Sequence, residues 1–285
     1  MQNTIKLFSV FFLILFIVSC TNEQKKIQNL QVTIIKNANQ INKDFLQYSI
    51  ITDNIAKYAK SLLENHKSLN LDTLFIELKA KNPIINQLYY IDNKSFKYSY
   101  PLFDSLTSYE QNTNHIDLYY FLTNDYNNPS KKSIWINKPY TNTQNTNFVI
   151  SSIAPIYVNN QIMGITGFDI TVNNIYKQYL NNNLKYHSLI LSSKGIVISS
   201  DKNSSKLLNI PDINNINPSQ LEQTTINYQN NFDLMQHNQS EVATLTSKII
   251  KGEKYFIASI NKETYYILCE NINLMDWILV YLVKK

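Results

Sequence analysis

The residues with the widest scope for chemistry lie between Trp135 and Thr171. Residues 161–170 alternate as a strand, which places Met163, Ile165, Gly167 and Asp169 on one face. The neighbouring stretch 148–157 is apolar on both faces, so its sheet is expected to be covered on both sides and Asp169 to be buried. A buried carboxylate needs a cation or several hydrogen-bond donors. The chain contains no arginine, which leaves a lysine, backbone amides or the ammonium group of a ligand. Two structural roles compete with ligand binding: capping the helix that starts near Val172, and an ion pair with Lys138.

Aromatic residues with polar tips surround this stretch in sequence: Tyr119, Tyr120, Trp135 and Tyr140. Such side chains suit a small-molecule pocket and an ordinary core equally. Trp277, among Ile272, Leu274 and Leu279, reads as core. Catalytic constellations are thin. The four histidines (His66, His115, His187, His237) are far apart without metal-ligand spacing, so neither a metal nor a cofactor is expected. His115 and Asp117 would lie side by side on a strand, but no activated nucleophile accompanies them. Gly164 and Gly167 make no dinucleotide or phosphate-loop fingerprint, and an enzyme is not expected.

The 285 residues can hold two domains, and with 44% apolar and 16% charged residues they have ample material for cores. The formal charge of +5 is spread along the chain, which argues against nucleic acid as a partner. Without arginine there is no bidentate clamp for carboxylate or phosphate. Near the start, Lys6 precedes an apolar run over residues 7–18, short for a membrane span and of the length of a signal-peptide core. Its ending, Ile17-Val18-Ser19-Cys20, resembles the bacterial lipobox. That resemblance implies a signal peptide over 1–19, an acylated Cys20 and a lipid anchor on the periplasmic side of the envelope. Cys269 would then be the lone thiol, buried on an apolar strand.

Over residues 23–66, apolar positions from Ile27 to Leu62 are spaced by threes, fours and sevens with no Pro or Gly. This predicts one amphipathic helix of about 60 Å, serving as a coiled coil or as a spine along two modules. A short helix over 72–80 and strands over 84–92 and 96–101 follow. Residues 104–147 read as a long structured loop with short helices. The hairpin 148–157/161–170 turns at Asn159-Asn160 and leads into a helix over 172–180 capped by Thr171. The same syntax restarts after residue 183: a hairpin 188–192/196–200, a polar middle to about 238, and strands over 242–250, 255–260, 265–269 and 277–283. The expected fold class is α+β, a long N-terminal helix and a duplicated unit with antiparallel sheets, divided into 20–66, 67–180 and 181–285.

The run Tyr119-Tyr120, Asn128-Pro129, Trp135, Pro139-Tyr140, Ser151, Pro155-Ile156-Tyr157, Gly164 and Gly167-Phe168-Asp169-Ile170-Thr171 resembles the membrane-distal half of bacterial double-Cache extracytoplasmic sensor domains. The resemblance implies two PAS-like modules, of which the distal one binds amino acids, amines or carboxylates. It implies that Asp169 meets a ligand amino group, with Trp135, Tyr140 and Tyr120 as pocket walls beside Tyr119. Amino-acid binders in that family set an arginine against the ligand carboxylate; here Lys131, Lys132 or Lys138 would have to substitute, which favours an amine or a neutral metabolite. Relatives continue into a transmembrane helix and a kinase, cyclase or chemoreceptor output, whereas this chain stops two residues after its last strand. The expected function is a lipid-anchored sensory module reporting to a separate membrane receptor or kinase. The alternative is a structural or scavenging envelope lipoprotein. A hydrolase ranks behind both, for want of a nucleophile with a paired base.

Overall fold

The computed structural model describes residues 2–92, 96–101, 113–141, 147–181, 186–214, 216 and 232–285; side chains 2–22, 96–98 and 113–116 are not described. The lipobox and Cys20 therefore lie outside the described side chains, as does His115.

Helix α1 runs from Gln2 to Glu64. Its buried positions Ile34, Ala38, Ile41, Phe45, Tyr48, Thr52, Ile55 and Ala59 alternate by fours and threes, one stripe along one side. That stripe packs against two sheets of the same chain, so α1 is a spine. The first module contains α2 (Asp72–Lys81), β1 (Ile85–Ile91), β2 (Phe96–Tyr100), α3 (Thr113–Thr123), β3 (Ile134–Thr141), β4 (Phe148–Val158), β5 (Gln161–Thr171) and α4 (Val172–Ile175), which widens into a π-turn over Tyr176–Leu180. The second contains β6 (His187–Ser192), β7 (Val197–Ser200), α5 (Lys202–Leu207), α6 (Ser240–Ile250), β8 (Tyr255–Ile260), β9 (Glu263–Ile272) and β10 (Trp277–Lys284). Strand orders are β2-β1-β5-β4-β3 and β7-β6-β10-β9-β8, one order repeated with every number raised by five. The duplication read from the syntax is thus present in the topology, and the long helix with two antiparallel five-stranded sheets is the expected α+β architecture.

Local chemistry accounts for most elements. Asn159 and Asn160 both take positive φ (50° and 61°), the left-handed pair a two-residue hairpin requires. Thr171 caps α4, its Oγ1 accepting from Asn174 N at 3.1 Å. Trp277 and Cys269 are buried in the second module. Two expectations fail. Residues 242–250 form a helix, because Val242, Leu245, Thr246 and Ile249 share one buried helical face that outweighs their β-branched composition. Inside the expected loop region, residues 134–141 form edge strand β3, whose pairing slips between Ile136 and Tyr140 on either side of Lys138-Pro139.

The modules meet at Phe45. Its ring lies 5.0 Å from Trp135 of the first sheet and 5.3 Å from Trp277 of the second, both edge-on. Trp277 Nε1 donates to Asn137 O at 2.9 Å, and Asn137 Nδ2 donates to Met275 O at 2.7 Å. We predict that Phe45→Ala costs about 3–5 kcal/mol and lowers the urea midpoint of both modules together. Each tryptophan would report one sheet; two separated transitions would show that the modules do not depend on this contact.

Candidate functional site

The first sheet has two covered faces with different chemistry. Toward α1 it presents Leu88, Ile150, Ala154, Phe168 and Ile170. The opposite face packs under α3 with Tyr89, Ile91, Val149, Ile153 and Ile165, joined by Tyr119 and Tyr140. Asp169 lies on this second face, 5% exposed, between Gln87 of β1 and Ser151 of β4 in the register.

Asp169 ends a chain of hydroxyls. Tyr119 and Tyr140 share a hydrogen bond of 2.7 Å, Tyr140 bonds Ser151, and Ser151 Oγ donates to Asp169 Oδ1 at 2.5 Å. The Tyr89 ring stacks on Tyr119 with centroids 6.0 Å apart. Burial pushes the Asp169 carboxyl up to about 7, against the pull of the Ser151 and Tyr89 hydroxyls. Burial, reinforced by the Asp169 charge, holds the Tyr89 and Tyr119 phenols above their ordinary range. The Tyr140 phenol is raised by burial, then by the neighbouring Tyr119 and Asp169.

Of the residues singled out in sequence, Asp169, Tyr119 and Tyr140 come together. Trp135 does not join them. It pairs with Ser152, so its side chain goes to the α1 face, where Nε1 donates to Ser49 Oγ at 2.8 Å and the ring meets Phe45 and Phe168. Tyr120 is one residue round α3 from Tyr119. Its hydroxyl is buried without a partner among the described residues, and burial, with Tyr90 and Asp92, raises its pKa. Lys138 is exposed on β3. Neither competing structural role applies: Thr171 caps the helix, and Asp169 accepts from Ser151 rather than pairing with Lys138.

Tyr89 and Ser151 are the members that sequence reasoning did not assign. Ser151 reaches Asp169 through a register shift: Val158↔Gln161 continues to Tyr157↔Ile162 and then slips to Ile156↔Gly164. That extra residue sets Ser151, rather than Ile150, opposite Asp169. Gly167 has a backbone reason for being glycine, since a Cβ there would sit 2.4 Å from Ser152 O.

The second module supplies an internal comparison. Its corresponding face, under α6, carries Leu189 and Leu191 on β6, Ile267 and Cys269 on β9, and Val280 and Leu282 on β10. Among the described residues this face is mainly apolar and holds no buried carboxylate, so the same topology folds without a buried acid at the corresponding place. Among the described residues no group of three His, Cys, Asp or Glu could hold a metal ion, and no helix is long and apolar enough to cross a membrane.

No protein-family profile matches the chain, and no curated protein matches it. Solved structures match over nearly the whole length. The extracellular domain assigned to a histidine kinase, rpHK1S-Z16, superposes with a TM-score of 0.65 at 13% identity, covering 94% of this chain and 97% of that one. The ligand-binding domain of the Pseudomonas fluorescens chemoreceptor CtaA, solved with L-serine, gives 0.63 at 12%, covering 92% and 98%. The sensory domain of the Campylobacter jejuni chemoreceptor Tlp3, solved with isoleucine, gives 0.57 at 12%, covering 93% and 94%. The chain thus has the fold of extracellular double-Cache sensor domains from kinases and chemoreceptors, which are sensory domains and not enzymes.

The raised Asp169 pKa fixes the sign of a pH dependence. The folded state holds the proton more tightly than the unfolded chain, whose carboxyl titrates near 3.8. This stabilisation is fully present below that value and is lost as pH rises through about 7. Asp169→Asn is neutral throughout, so its melting temperature should rise relative to the native protein between these limits and then level off. The full change is up to about 4 kcal/mol; parallel melting profiles would contradict it.

Proposed function

We propose that the chain is a lipid-anchored, extracytoplasmic sensory module that binds a small molecule in its membrane-distal half at Asp169. One observation carries this reading: a buried carboxylate with converging hydroxyls in one copy of a duplicated sheet, where the corresponding face of the other copy is, among the described residues, mainly apolar and without a buried acid. Burying such a group is unfavourable and the fold does not demand it, so a binding role accounts for its presence. The absence of arginine favours a ligand with a cationic amine over one that must also place a carboxylate. Solved neighbours that carry serine or isoleucine support a ligand of this size. The lipobox-like Cys20 supplies the anchor, and the bound state is passed to a separate membrane receptor or kinase.

The second reading is a structural or scavenging envelope lipoprotein. The packing of Tyr119 and Tyr140 over Asp169 favours it, because the protein's own hydroxyls occupy the position a ligand's ammonium would take.

Thermal-shift and calorimetric titrations against amines, amino acids and carboxylates separate the two readings. An amine is expected to bind, and Asp169→Ala is expected to abolish binding while the protein still unfolds cooperatively. Failure of every compound to bind below about millimolar concentration would favour the structural reading. Cys20→Ser is expected to move the protein from the membrane to the soluble fraction; unchanged membrane retention would remove the lipid anchor from the account.

A further inference from the structure

Among the described residues, the cluster around Asp169 contains no charge to answer it. The groups around the carboxyl are Gln87 and Tyr89 from β1, Tyr119 from α3, Tyr140 from β3 and Ser151 from β4, one amide and four hydroxyls, all neutral. Asp117 of α3 and Lys138 of β3 are both exposed. The influences on the carboxyl are burial and the hydroxyls of Ser151 and Tyr89, with no contribution from a described cation. In such surroundings a carboxylate is neutralised in one of two ways, by a proton or by an incoming cation. The hydroxyl chain suits either state, since a hydroxyl can donate to a carboxylate or to the carbonyl oxygen of a protonated acid.

We propose that proton and ligand compete for Asp169: the carboxyl is protonated in the closed, empty cluster and gives up that proton when a cationic amine enters, so that external pH gates the distal module. The exchange is balanced. The O–H bond of the acid breaks, the proton goes to solvent, and the resulting carboxylate accepts hydrogen bonds from the ammonium group, leaving the site neutral before and after. Burial holds the carboxyl's affinity for protons near neutrality, which places the exchange where a modest change outside the cell alters occupancy. The ligand half of this inference rests on the amine reading above; the proton half does not.

Two measurements keep the halves apart. In infrared difference spectra of the purified, ligand-free protein, taken from about pH 5 to about pH 9, the C=O band of a protonated carboxyl should disappear with a midpoint near 7. It should be missing from Asp169→Asn, with cooperative melting of that variant as the check that it is folded. No such band, or one that persists in Asp169→Asn, overturns the proposal. Calorimetry with methylammonium, ethanolamine and putrescine then tests the exchange. Affinity should rise about tenfold per pH unit below the midpoint and level off above it, with about one proton released per site well below the midpoint and none well above it, as judged from buffers of different ionisation enthalpy. Amine binding that is flat with pH overturns the exchange while leaving the amine reading intact. A titrating Asp169 that binds no amine overturns the amine reading and leaves the proton as the ligand.

Discussion

Phe45 lies between Trp135 and Trp277, and through that contact a single stripe of α1 serves two sheets. The helix has one apolar side, and each module needs a cover for one face of its sheet. Laying the stripe across equivalent strands of both modules satisfies both needs. Hydrophobic burial alone would fix neither the order nor the rotation of the modules, because it is non-directional. Direction comes from a few partly buried polar contacts. Trp135 Nε1 and Ser133 bind α1 at Ser49 and Asp53, while Asn137 and Trp277 bind the first module to the second. Ser133 and Trp135, which hold the spine, and Asn137, which reaches the second module, are spaced two residues apart at and just before the start of β3.

Two copies of one topology answer the same packing problem with different interiors. In the second module the face away from α1 is closed by α6 with leucine, isoleucine and valine. In the first, α3 brings Tyr119 onto a face that holds Asp169. The comparison separates what the fold requires from what it tolerates. A buried carboxylic acid contrasts with Asp201, also buried, which is consumed by its neighbours: it accepts from Ser204 N at 2.7 Å and from Ser188 Oγ at 3.0 Å while capping α5. Asp201 accepts from backbone amides, whereas Asp169 is met by side-chain hydroxyls.

Much of this was legible in the sequence. The uninterrupted threes and fours of α1, the Asn-Asn hairpin, the Thr171 cap and the repeated syntax come from short-range rules and are found where those rules place them. Failures arise where long-range contacts decide. Residues 242–250 are rich in β-branched types yet helical, because their partner is a sheet face that local propensity does not encode. Strand β3 was hidden by Pro139 and its register slip, and that had a further consequence. In a loop, Trp135 and Tyr140 can face one pocket; in a strand, their separation by five residues sends them to opposite faces. Ser151 was out of reach for a related reason. The turn at Asn159-Asn160 alone would pair Asp169 with Ile150, and only the slip beyond Tyr157 substitutes a hydroxyl.

That slip also fixes how close the candidate site is to the spine. Alternation along β4 sends neighbouring side chains to opposite faces, so Ser151 meets Asp169 while Ser152 meets α1. Ser152 and Thr52 are both fully buried and share a hydrogen bond of 2.6 Å in an otherwise apolar contact. Such a pair resists sliding of helix over sheet more than methyl groups would, because separating them strands two hydroxyls away from water. Site and spine are therefore one peptide bond apart on a strand that is hydrogen-bonded on both edges. A displacement of Ser151 along the strand axis cannot be absorbed by a flexible linker, because none lies between it and Thr52. The polar cluster and the helix that reaches toward the second module are thus joined through adjacent residues of one strand.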